Sequence, residues 1–174
     1  MPTQKLVVVD PTSPSGIAEK NITLGQVVQM LTGAVNPVSG TTQIPFDNTA
    51  PLITEGFEIL RLNITPTFAN SKILIICNLN VHTSNVLLAS RNITAVVWVG
   101  SSIAYTHTSN TSASQAPEAL PISTWFNSVD TTTKDIQIRV GADGTGTTYV
   151  GASDNANLGG NRFSNYIILE VLDV

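Results

Sequence analysis

The sequence predicts an all-β fold built from antiparallel strands, of the sandwich, jelly-roll or closed-barrel kind. Three observations predict it. From Thr41 onward, short runs rich in β-branched and aromatic residues recur, separated by Ser, Thr, Asn and Gly turns. The chain has 174 residues, about one domain, which is enough to bury a core without covalent staples. No repeat of fixed period is visible, so a solenoid or fibrous shaft is not expected.

Element by element, strands are expected over 57–64, 72–81, 93–99, 103–108, 120–126, 135–140, 147–150 and 166–172. The run from Phe57 to Ile64 alternates imperfectly at Glu58, Leu60, Leu62 and Ile64, but its composition favours a strand. Gly141 to Gly146 reads as the sharpest turn, with Asp143-Gly144 a hairpin signal.

The first forty residues read differently. Leu6 to Val9 suits a short strand, and Asp10 to Gly16 has the Pro, Ser and Gly density of a loop. Thr23 then stands as an N-cap before Leu24, Val27, Val28 and Leu31 at helical spacing, with Gly33 as a stop. A helix of two turns is marginal alone. Residues 1–40 are therefore expected to form an anchor segment and residues 41–174 the β domain, with Leu6, Val8, Leu24, Val27, Val28 and Leu31 as the docking residues.

Charged residues make up 11% of the chain, against roughly 25% in an average soluble domain, and the net charge is −4. Eight scattered basic residues offer no stripe for a phosphate backbone, so no nucleic-acid partner is expected. Mean hydropathy is +0.19, yet no segment approaches the ~20 apolar residues of a spanning helix, so no membrane insertion is expected. The N-terminal apolar stretch is too short for a signal peptide, which predicts synthesis in a cytosol. Cys77, the one cysteine, sits in an apolar run and reads as a core residue.

Chemistry-bearing patterns are sparse. His82 and His107 lack metal-ligand spacing and read as strand-end or interface residues. No nucleophile elbow, Walker loop or dinucleotide fingerprint occurs. Asp143, with Asp154 and Asn157, falls short of the six to eight oxygens calcium usually takes. Glu55, Glu58, Glu118, Asp130, Asp135 and Asp143 supply no defined carboxylate pair for glycoside hydrolysis. The expectation is no enzyme activity, no catalytic residue, no cofactor and no metal. Trp98, Tyr105 and Trp125 are candidates for a subunit interface or for stacking on a glycan. Of the neighbours Trp125 and Phe126, one is expected to face inward and the other a partner.

The segment from Thr41 to Leu60, with Ile44-Pro45, Asp47-Asn48, Pro51 and Glu55-Gly56, resembles a family of phage virion and tail-fibre-associated domains. The likeness continues through Ile64-Thr-Pro66 and Lys72 to Ile75, then returns at Gly159-Gly160, Ser164 to Ile167 and Glu170. Pro45 and Pro51 stiffen the opening loop, Asp47 and Asn48 can cap its turn, and Gly56 frees the backbone before the strand. These are scaffold residues rather than active-site residues. The resemblance implies a jelly-roll-like β-sandwich, trimeric, on the surface of a phage particle assembled in the host cytoplasm. A chain with an anchor and a knob suits a capsid decoration or head-fibre protein whose partners are sister subunits and the major capsid protein or other virion proteins. The alternative is a fibre-tip adhesin holding a host surface glycan through loops such as 109–116 or 151–160.

Overall fold

The computed structural model describes residues 26–84, 91–111, 118–151 and 164–172. They form ten strands: β1 (Gln26–Val35), β2 (Val38–Gly40), β3 (Phe57–Ile64), β4 (Lys72–Thr83), β5 (Arg91–Val99), β6 (Ser102–Thr111), β7 (Glu118–Asn127), β8 (Lys134–Ala142), β9 (Thr148–Val150) and β10 (Ser164–Leu172). All pairings are antiparallel.

Two sheets pack face to face. The larger runs β1-β10-β4-β7, and β9 and β2 extend it beyond the end of β10. The smaller runs β3-β8-β5-β6. With the short β2 and β9 set aside, the remaining strands interleave so that first, last, third and sixth share one sheet. That is jelly-roll connectivity. β4 organises the larger sheet: it pairs β7 from Lys72 to Val81 on one side, and β10 then β9 on the other.

The core is where the two inner faces meet. Ile73, Ile75, Cys77, Leu79 and Val81 alternate inward along β4 and meet Ile93, Ala95 and Val97 of β5 and Ile136, Ile138 and Val140 of β8. Each is at most 1% exposed, and burying one such aliphatic side chain is worth roughly 1.5–3 kcal/mol. Cys77 is thus a core residue, and desolvation by burial pushes its thiol pKa up to about 12.

The imperfect alternation of β3 has a structural cause. The register with β8 shifts between Glu58 and Leu60, so Ile59 is the extra residue of a β-bulge. β7 carries Pro121 as an edge strand, pairing only β4 among the described residues.

Two expectations are corrected. The helix over Leu24 to Leu31 is a strand wherever it is described: Gln26–Val35 pairs with β10 along its length. A register shift between Val27 and Gln29 inserts one residue there, and the resulting break in alternation mimics helical spacing. Gly33 does not stop a helix; it lies under the Tyr166 ring, whose hydroxyl would stand 2.6 Å from an added Cβ. Consequently β1 and β2, expected in a separate anchor over residues 1–40, are strands of the larger sheet. The second correction concerns Asp143-Gly144. β8 and β9 belong to different sheets, so this segment is a corner between them and not a hairpin. The Asp143 carboxylate holds the corner by accepting the Asn92 side-chain amide at 2.8 Å.

Candidate protein interface on the larger sheet

The two outer faces of the sandwich are unlike. On the smaller sheet, Arg61 forms a two-bond ion pair with Asp135, at 3.0 and 2.7 Å, and lies 3.7 Å from Glu58. The segment 41–56 folds over the neighbouring part of that face. Ile44 packs on Val96 and Trp98, its N–H donates to Ala142 O at 3.1 Å, and the Arg139 guanidinium donates to Glu55 O at 2.9 Å and Gly56 O at 2.7 Å. Asp47 accepts both the N–H and the hydroxyl of Thr49, which closes the turn between Pro45 and Pro51. Gly56 takes φ 63°, and an added Cβ would stand 2.7 Å from Val140 O. The motif that carried the resemblance therefore builds the cover of this sheet.

The larger sheet has no such cover among the described residues. Its register lines up Met30, Leu169, Leu74 and Trp125 in one row across β1, β10, β4 and β7. The next outward row holds Thr32, Ile167, Ile76 and Ser123. Met30 is 63% exposed, Trp125 56%, Val27 53%, Ile167 38% and Ile76 36%. Such residues gathered on one face exceed the scattered apolar positions of an ordinary surface. Lys72, with its ammonium 5.5 Å from the Trp125 ring centroid, is the only charged residue among the described outward positions of these four strands.

The candidate residues fall in different places. Leu6, Val8 and Leu24 lie outside the described residues. Val27 is exposed on the outer side, Val28 is half-buried at the bulge, and Leu31 packs against the sandwich core. Trp98 is 5% exposed beneath Ile44. Tyr105 packs against the core, its ring near-parallel to His107 at 6.3 Å between centroids. Trp125 faces outward while Phe126 packs inward, as the alternation required. The structure thus brings Val27 and Trp125 onto one face, at opposite ends of it. Met30, Ile76, Ile167 and Leu169 were missed, because only the pairing of distant strands makes them a patch.

His82, on β4, rests beside Tyr149 with ring centroids 5.7 Å apart, whereas His107 is on β6 of the other sheet. No three His, Cys, Asp or Glu side chains gather among the described residues. An open concavity of about 290 Å³ lies where β6 and β7 part, lined mainly by Val99, Ile103, Ala104, Phe126 and Val129. No helix among the described residues is long and apolar enough to cross a membrane.

No protein-family model and no curated protein matches the sequence. Solved structures with a similar arrangement include the sugar-binding C-terminal domain of EclA, 13% identical over 79% of this chain and 83% of that domain, TM-score 0.40. A chain of the infectious bursal disease virus T13 particle is 11% identical over 97% of this chain and 40% of its own length, TM-score 0.46. One from the Gt strain of that virus is 14% identical over 100% and 43%, TM-score 0.42. This chain spans less than half of those viral chains. At such identities and scores the likeness carries no functional information.

Proposed function

We propose that this protein is a non-enzymatic structural component of a bacteriophage virion, a capsid decoration or head-fibre protein displayed on the particle surface as a homotrimer. The observation that carries the reading is the apolar row across the outer face of the larger sheet, uncovered among the described residues. One sheet bears the Arg61–Asp135 ion pair and is covered in part by the chain's own segment 41–56, on which Phe46, Leu52 and Ile53 are exposed. The other presents the row Met30, Leu169, Leu74 and Trp125 with little charge around it. Interface cores are apolar, poor in charge and built around aromatic and Met side chains, so such a face suits a subunit of an assembly. The scaffold resemblance of residues 41–60 to phage virion domains supplies the kind of assembly. Sister subunits and the major capsid protein are the partners this reading names.

The test is native mass by light scattering, followed by binding to purified capsids stripped of the protein. A trimer that decorates the capsids supports the reading, and a monomer that does not bind them overturns it. A second reading, a fibre-tip adhesin for a host glycan, is favoured by the exposed Trp125 indole beside Ser123 and Asn127, since indole faces stack on sugar rings. Saturable binding on a glycan array, lost in Trp125→Ala, separates it from the first.

A further inference from the structure

We infer that the outer face of the larger sheet is covered by sister copies of this chain, with three such faces turned toward a common axis and the Trp125 end of each meeting the Met30 end of the next. The inference rests on the homotrimer reading and assigns its surface. Contacts around a threefold axis are head-to-tail, so one margin of the face must fit the other margin. The margins here differ in a complementary way. β7 carries the broad indole of Trp125, and β1 carries Met30 and Val27, a flexible thioether and a small branched side chain. Thioethers adapt their shape and make favourable contacts with aromatic rings. Leu169 and Leu74, between the margins, would line the axis.

The area sets the size of each contact. Four strands at ~4.8 Å spacing and ~3.4 Å per residue, over the rows shared by β10 and β4, give a footprint of roughly 450 Å² in projection. Each neighbour in a ring of three covers about half of that footprint, so each contact is smaller than the ~800 Å² per partner of a standard interface, and each subunit is held by two such contacts. The charge pattern agrees, because copies of one face present like charges to each other. A face whose described outward residues include one cation, held beside an indole, limits that repulsion to one lysine per copy.

The test uses paired cysteines in the full chain, Met30→Cys with Trp125→Cys, and separately Val27→Cys with Trp125→Cys. Within one subunit β1 and β7 are separated by β10 and β4, roughly 14 Å, twice the ~7 Å limit on the Cα separation of a disulfide. Any disulfide between the new cysteines therefore joins subunits. The native Cys77, 1% exposed, does not compete. Oxidation with copper phenanthroline is expected to give covalent trimers on a non-reducing gel for at least one pair, and none for the single-cysteine controls. Met30→Lys, at a position 63% exposed in the subunit, is expected to reduce the native mass to that of a folded monomer.

Covalent products that stop at dimers, or no product from either pair, overturn the head-to-tail arrangement. A wild-type trimer that gives no product and keeps its mass in Met30→Lys leaves the virion reading standing with a different interface. A wild-type protein that is monomeric overturns the trimer itself and this inference with it; capsid binding then decides whether the virion reading survives.

Discussion

The carboxylate of Glu170 on β10 accepts the side-chain amide of Gln29 on β1 at 2.6 Å, in the register pair just after the bulge. The same carboxylate accepts the backbone N–H groups of Thr67, at 2.9 Å, and Phe68, at 3.0 Å. Glu170 is fully buried, so one ionised side chain joins two strands of the larger sheet to the loop that leads from β3 into β4. Desolvation by burial raises its pKa, but the N–H donors of Thr67, Phe68 and Gln29 outweigh it and hold the value down to about 2.

From this follows a pH dependence. A carboxylate with a folded-state pKa below its unfolded value of about 4.5 stabilises the fold fully above that value. The contribution is lost as pH falls from about 4.5 toward about 2. Glu170→Gln is expected to cost on the order of 2–3 kcal/mol at pH 7 in urea unfolding. Its deficit relative to wild type should shrink across that pH interval. A deficit independent of pH would show that the loop is held by shape and not by the charge.

Ile75 and Ile76 are sequence neighbours on opposite faces of β4, fully buried and 36% exposed respectively. Ile75→Ala is expected to destabilise by about 3–4 kcal/mol, the range for emptying a packed core site. Ile76→Ala should stay within ~1 kcal/mol for the isolated subunit. Thermal or urea denaturation of the two variants side by side checks the assignment of faces, and equal losses would contradict it.

Gly56→Ala places a methyl group where φ is 63° and where Val140 O and the Ile44 side chain stand within 3.0 Å. The expected loss is roughly 1–3 kcal/mol. Ala50→Gly, in the same segment and exposed, is the control and should change stability little. If both variants match wild type in urea, the backbone at residue 56 is not constrained as described.

Arg139 ties the covering segment to the smaller sheet through Glu55 O and Gly56 O. In a Trp125→Phe background, where Trp98 is the one remaining tryptophan, Arg139→Ala is expected to raise acrylamide quenching several-fold as the cover loosens above the indole. It should also cost about 2 kcal/mol, from two charge-assisted bonds to carbonyls. Unchanged quenching would mean that Ile44 holds the cover without the arginine.

The Cys77 thiol, buried in the core with its pKa pushed up to about 12, should resist iodoacetamide at pH 8 in the native protein and react once urea unfolds it. Mass spectrometry after timed quenching gives the rate in each state. Fast native labelling would place Cys77 outside the core.

How much of this was legible in advance follows from the range of the forces involved. Strands β3 to β10 were readable because alternation and β-branched composition are local. The turn at Asp47, the freedom required at Gly56 and the inward position of Cys77 were readable for the same reason. Even the bulge in β3 left a trace as faulty alternation around Ile59. The same device misled at β1, where an inserted residue beside Val27 and Val28 gave apolar spacing that suits a helix. Pairing with β10 decided for a strand, since the sheet supplies a ladder of hydrogen bonds that a two-turn helix cannot match alone.

The sequence by itself determined that this chain is an antiparallel β protein with sparse charge and few chemistry-bearing side chains. Tertiary structure alone decided the jelly-roll order of its strands, the sharing of Glu170 among Gln29, Thr67 and Phe68, and the apolar row from Met30 to Trp125. The reason is physical: which face a residue takes depends on its own strand, but which residues become neighbours across a sheet depends on partners far away in sequence. Met30 and Trp125 lie on strands that never touch each other, and only the intervening β10 and β4 make them the two ends of one surface.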